Sequence, residues 1–244
     1  MGALILDDVR LFCGGADLTG QSNKAELASE VEDKDVTTFG SGGWKEVLGG
    51  LASTKITAEG LWSAGDPSQV DDNQFAALGG LNVWTVCPDD AAVGSLTYFT
   101  SGLNGSYQLG GSVGDAAPWQ AQGMSSWPLV RGEIAHPPGT PRTTDGTGTG
   151  VQLGAVAAGQ SLYVAVHVLS VAGTSSPTIT VAVESDADNS FASPVTVASA
   201  TAATAPGGQI LRVPGPNTDP WFRPKWTITG TTPSFLFVVA LGVR

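Results

Sequence analysis

Ser112 stands in Gly110-Gly111-Ser112-Val113-Gly114, a match to the Gly-x-Ser-x-Gly pattern of serine hydrolases. That chemistry needs the serine on a sharp strand-to-helix turn, with an acid and then a histidine downstream. Here Asp115, Pro118 and a Gly-rich stretch follow, and no strand–helix alternation surrounds them. With 33 glycines in the chain, such a match arises by chance. His136 abuts Pro137-Pro138, and His167 sits mid-strand in line with Tyr163, Ala165 and Leu169. Both read as core or surface histidines rather than bases or ligands. Asp186-Ala187-Asp188-Asn189 lacks the glycine and distal glutamate of a calcium loop. Asn104-Gly105-Ser106 is formally a glycosylation acceptor but first a turn signal. Cys13 and Cys87 have no Cys-x-x-Cys spacing and no histidine pair, so they read as buried thiols, with a single bridge left open. The pairs Asp7-Asp8, Asp71-Asp72 and Asp89-Asp90 fall at turns and a helix start. The expectation is a protein that is not an enzyme, with no catalytic, metal or cofactor site.

The charge points elsewhere. The chain has 22 acids and 11 bases among 244 residues, a net charge of −11. Residues 1–136 carry 17 acids and 6 bases, hence −11, while residues 137–244 carry 5 of each, hence zero. A grip on nucleic-acid phosphates is excluded by that balance. The acidic start, with its short apolar run, reads as no signal peptide, and the run at 235–243 is half a membrane span, so no membrane association is expected.

The elements that must position any site are mostly strands. In 24–34, Lys24, Glu26, Glu30, Glu32 and Lys34 fall on even positions and Ala25, Leu27 and Val31 on odd ones. In 53–62, Lys55, Thr57 and Glu59 alternate with Ile56 and Ala58. A period of two gives each strand one charged and one core-facing side. Between them, 38–51 reads as a Gly-hinged loop carrying Phe39, Trp44, Val47 and Leu48. The one helix expected is 67–78, with Phe75 and Leu78 on a shared face and Gly79-Gly80 as the stop. Further strands are expected at 82–87, 95–101, 106–111 and 127–135. The Pro/Gly/Thr-rich stretch 137–150 then breaks the pattern. Seven strands in 151–244 read as a second sandwich. The fold class is therefore mainly β: a sandwich over 1–136 with one short flanking helix, a linker over 137–150, and a second β-sandwich over 151–244.

The order in 37–62 of a Trp-containing loop, a Gly-Leu turn and an alternating strand closing in Gly-Leu-Trp, followed by a short helix, resembles the major tail (tail tube) proteins of long-tailed bacteriophages. The resemblance covers roughly 1–136, and 161–185 with 221–243 looks like the C-terminal part of some siphophage tail proteins. It implies a virion protein, assembled in the host cytoplasm, whose rings, usually six-fold, stack into a tube. It also implies tape measure, tail terminator and distal tail proteins as partners, and DNA that passes without specific binding. On that footing Lys24, Glu26, Glu30, Glu32, Lys34, Lys55, Thr57 and Glu59 face the lumen, and Phe39, Trp44, Val47 and Leu48 form the inter-subunit or inter-ring loop. The 151–244 unit is either an outward accessory or a second tube-like unit; its neutrality favours the first. The competing reading is a carbohydrate-binding sandwich or adhesin, in which Trp119, Trp127, Trp221, Trp226 and the tyrosines stack on sugars.

Overall fold

Runs of β-branched and aromatic residues between glycines and prolines pack best on a pleated surface, and the chain forms strands almost throughout. The computed structural model describes residues 5–125 and 127–244. Before the Pro-rich break lie β1 (Arg10–Cys13), β2 (Ala16–Asp17), β3 (Ser22–Asp35), β4 (Val47–Leu61), β5 (Leu81–Cys87), β6 (Leu96–Leu109), β7 (Pro118–Ser125) and β8 (Val130–His136). After it come β9 (Gly146–Thr147), β10 (Val151–Gln152), β11 (Ser161–Asp186), β12 (Val195–Ser199), β13 (Gly207–Pro214) and β14 (Trp221–Val243). All pair antiparallel in one branched sheet, whose main path is β12-β11-β14-β8-β6-β5-β1-β2, with β3-β4-β7 joined to it through β6.

That sheet rolls into layers. One wall is β3-β4-β7 with the far half of β6; the other is β1-β5 with the near half. Ile56, Ala58, Trp119 and Ala121 from the first wall meet Leu11, Cys13, Trp84 and Val86 from the second in a closed core. β6 can serve both walls because it bends. A side chain on Gly102 would stand 2.7 Å from the Met124 carbonyl oxygen, and Gly105 is the extra residue of a bulge between the Asn104 and Ser106 pairings. The two runs expected at 95–101 and 106–111 are thus one strand. β1 and β7 were not anticipated; β1 is too short, and β7 is bounded by Pro118 and interrupted by Gly123.

After the break, β11 and β14 pair along almost their whole lengths and fold back together near Gly173 (φ +125°) and Gly230 (φ +111°). The fold-back brings Val164, Val166 and Val168 into the same core as Val181 and Val183. The stretch 137–150 is fastened to this unit: Trp226 Nε1 donates to the Thr144 carbonyl at 3.0 Å, and β9 pairs with β14. A further core is built from both sides of the break. Phe12, Val83, Phe99, Val130 and Ile134 pack with Tyr163, Ala165, Leu169, Val238 and Ala240, and β8 pairs with β14.

The helix expected at 67–78 is shorter and wider. A single helical residue, Val70, leads into a π-type turn at Asp71–Phe75, and turns continue to Gly79. Its buried side is Val70 and Gln74, whereas Phe75 and Leu78 face solvent. The reason is polar: Gln74 accepts from the Asn104 side-chain amide, which itself accepts from Trp84 Nε1 at 3.0 Å.

Candidate functional site

Register places the eight charged-face candidates on one side of one sheet. Lys24 lies opposite Glu59, Glu26 opposite Thr57, and Ala28 opposite Lys55, while Glu30, Glu32 and Lys34 continue the even row of β3. On the far side of β4, Glu59 faces Gln120, Thr57 faces Gln122, and Lys55 faces Met124. Beyond β7, Gln120 faces Gln108 and Gln122 faces Ser106. The four-stranded wall therefore has a polar outer face that includes Gln120, Gln122, Ser106 and Gln108. Sequence reading missed these, although the alternation Trp119, Ala121 against Gln120, Gln122 carries the signal. Thr57 sits low between longer neighbours and is buried.

Two of the three lysines on this face, Lys24 and Lys34, are partnered by acids. Lys24 Nζ is 3.2 Å from Glu59 and 3.5 Å from Glu26, and Lys34 pairs with Glu32. Gln120 donates to Glu59 at 2.6 Å. That amide, followed by Lys24, holds the Glu59 carboxyl below the usual range, and the hydrogen bond from Lys24 to Glu59 raises the lysine. Among the described residues, Glu30 and Lys55 have no ion-pair partner. Four acids against three lysines leave the face at −1 of the chain's −11. Such a surface offers a phosphate no free cationic cluster.

Beyond Ala28 and Ser53 the β3–β4 pair outruns its own core and projects as an arm, exposed on both faces. Its end is a short turn at Phe39–Ser41, where the Thr38 side chain accepts from the Gly40 amide and Thr38 N–H donates to Ser41. Phe39 and Trp44 stand free in solvent. Val47 and Leu48, expected in the loop, are instead strand residues of β4. They pair with Asp35 and Lys34, because the alternation of β3 continues far enough to hold them.

Among the described residues both edges of this wall are open: β3 pairs only with β4, and β6 beyond Asn104 pairs only with β7. The 151–244 unit lies elsewhere, packed on the outer side of β1-β5. There the buried His167 joins the layers, with Nε2 2.7 Å from the Thr85 hydroxyl and Nδ1 2.9 Å from the Gly14 carbonyl. Of the described large apolar side chains that are exposed, only Val195 lies after residue 136.

The remaining candidates do not converge. Ser112 lies in an irregular exposed connection between β6 and β7, with no helix after it. His136 closes β8, buried against Phe237 and Trp226 at ring distances of 4.3 and 4.9 Å. Trp119 and Trp226, taken as sugar-stacking aromatics, are core residues, Trp119 at the centre of the first sandwich and Trp226 in the second. Cys13 and Cys87 are buried free thiols with no disulfide between them. Among the described residues no helix is long and apolar enough to cross a membrane.

No family model matches the chain, and no curated protein matches it. Among solved structures it is similar to a chain in the virion of a native gene transfer agent particle, at 21% identity and TM-score 0.42, over 52% of this chain and 97% of that one. A chain in the tail of an empty gene transfer agent particle, refined with C6 symmetry, aligns at 20% identity and TM-score 0.38, over 49% of this chain and 92% of that one. The Dit protein of SPP1, described as a hub adsorption apparatus of phages infecting Gram-positive hosts, aligns over 98% of this chain and 100% of its own, at 12% identity and TM-score 0.36.

Proposed function

We propose that this chain is a structural wall subunit of a phage-type virion tail. Copies join side by side into a ring with the charged face of β3-β4-β7-β6 inward, and the rings stack through the arm. One observation carries the reading. The wall has four strands of alternating direction, so its two open edges, β3 and the far half of β6, run opposite ways. Rotating a copy about a common axis brings its β3 antiparallel to the next copy's β6, with every charged face on the same side. Such a head-to-tail contact closes into a ring, and six copies give a 24-stranded barrel, wide enough to keep an aqueous channel. Inside it, DNA would pass a wall whose lysines are mostly occupied by acids, so the polyanion finds no trap.

The 151–244 unit would lie outside the ring, since it packs on the wall away from the charged face and, among the described residues, exposes a single large apolar side chain, Val195. That favours an outward accessory over a second lumen-lining unit. Tape measure, terminator and distal tail proteins are the partners this role calls for, in a virion tail assembled in the host cytoplasm.

Negative-stain microscopy of the purified chain, with light scattering for mass, tests the proposal. Rings or tubes are expected; a strict monomer over a wide concentration range would overturn it. Single rings that never stack would restrict the role to one layer of the tail.

A further inference from the structure

The arm has an underside with no core of its own. The odd residues of β3 and their partners in β4 begin as the row Ala25, Leu27, Ile56 and Ala58, the first two partly buried and the last two fully buried. The same row runs on into the arm as Val31 opposite Ala52 and, past a bulge opposite Glu32, turns acidic at Asp33 and Asp35, which lie opposite Gly49 and Val47. Val31 is 63% exposed there. A second apolar feature lies on the charged-face side of the molecule. Leu81 pairs with Leu103, and Leu103 with Met124, so three side chains stand abreast across β5, β6 and β7, next to Lys55. Leu81 is 61% exposed. The charged wall thus ends in a strip that water would rather not cover.

We infer that this strip is the seat for the arm of a second copy of the chain. The inference rests on the ring reading and names the surface that receives the arm. Direction decides the fit. A neighbour's β3 laid antiparallel on β6 at 106–109 climbs toward Leu103 as its numbering rises. There the edge of β6 is already taken by Leu81 of β5, so in-plane pairing must stop and the neighbour's strand pair must pass over β5. It passes on the charged-face side, where the strip lies. The side it turns down is the one bearing Val31 and Ala52, while Glu30, Glu32 and Lys34 stay on the channel side. Strand addition supplies the main-chain contact and the strip supplies the side-chain contact.

The test is a full-length chain carrying both Val31→Cys and Leu81→Cys. The two positions are four strands apart within one copy, and the native Cys13 and Cys87 are buried. Mild oxidation of assembled protein is expected to give a ladder of covalent multimers on a denaturing gel. The pair Glu32→Cys with Leu81→Cys, which uses the arm's upper side, is expected to stay monomeric. Rings that form without a Val31–Leu81 ladder, or that cross-link equally from Glu32, would overturn the inference and leave the ring reading standing. Absence of both rings and ladder would overturn both. As a second measurement, Leu81→Asp with Leu103→Asp should leave the melting temperature within a few degrees of the parent. It should also raise the concentration needed for assembly at least tenfold.

Discussion

The imidazole Nε2 of His167 lies 2.7 Å from the hydroxyl of Thr85, and the two residues are 82 positions apart on opposite sides of the Pro-rich break. With Nδ1 at 2.9 Å from the Gly14 carbonyl, the ring must donate from Nδ1 and accept at Nε2, which fixes one neutral tautomer. Phe12 lies beside it at 5.8 Å, Gly208 and Val238 are its strand neighbours, and no charged side chain contributes to its titration.

Acid should therefore loosen the molecule. Burial pushes His167 down to about 4, and burial, then Arg142, does the same to His136. Both fall below the ordinary 6.5, so the unfolded chain binds the extra protons. Stability is present above pH 6.5 and is lost as pH falls toward 4, by on the order of 3 kcal/mol per histidine. Thermal melts between pH 4 and 7.5 should show this slope. His136→Phe keeps the stack on Phe237 and Trp226 and should remove about half of the slope, at a cost below about 1.5 kcal/mol at pH 7. An unchanged slope would remove His136 from the account.

Reversing the charged face should turn a passive wall into a trap. Changing Glu26, Glu30, Glu32 and Glu59 to lysine takes the face from −1 to +7, by adding eight charges to the total above. Assemblies of this variant should retain double-stranded DNA at about 50 mM salt and release it by a few hundred millimolar, whereas the parent binds none. Filter binding across a salt series reads this directly, and a reversed variant that ignores DNA would place these residues away from the channel.

Trp44→Ala and Phe39→Ala remove side chains that touch almost nothing within the chain. Each should change stability by less than about 0.5 kcal/mol yet shorten or abolish tubes seen by microscopy. Tubes of normal length would exclude the arm tip from stacking.

A chain ending at Thr140 uncovers Phe12, Val83, Phe99, Val130 and Ile134, which are buried against Tyr163, Ala165, Leu169, Val238 and Ala240. It is expected to bind hydrophobic dyes and to lose a cooperative melt. Phe12→Ala in the full chain should cost about 3–5 kcal/mol and lower a single transition rather than one of two. A truncated chain that melts sharply and still forms rings would show that the shared core is dispensable.

The sequence by itself determined the charged face and the character of the fold. Period-two alternation in 24–34 and 53–59 is a local property of each strand, so it gave each one a charged side before any partner strand was known; the β3–β4 register then joined the two sides into one surface. The β class, the break after His136 and the segregation of charge were legible for the same local reason. Pairing decided the rest. Whether Val47 and Leu48 are loop or strand depends on how far β3 runs opposite them. Only the bend of β6 at Gly102 and Gly105 lets one strand serve two walls. His136, Trp119 and Trp226 look like surface candidates from their neighbours in sequence, but their burial comes from residues 80 or more positions away, as in the contacts of Trp226 with Thr144 and of His136 with Phe237. The seat of the second unit, on the wall opposite the charged face, follows from side chains such as His167 and Phe12 that meet only in three dimensions. Apolar burial is indifferent to sequence distance, and no local pattern records which partner supplies it.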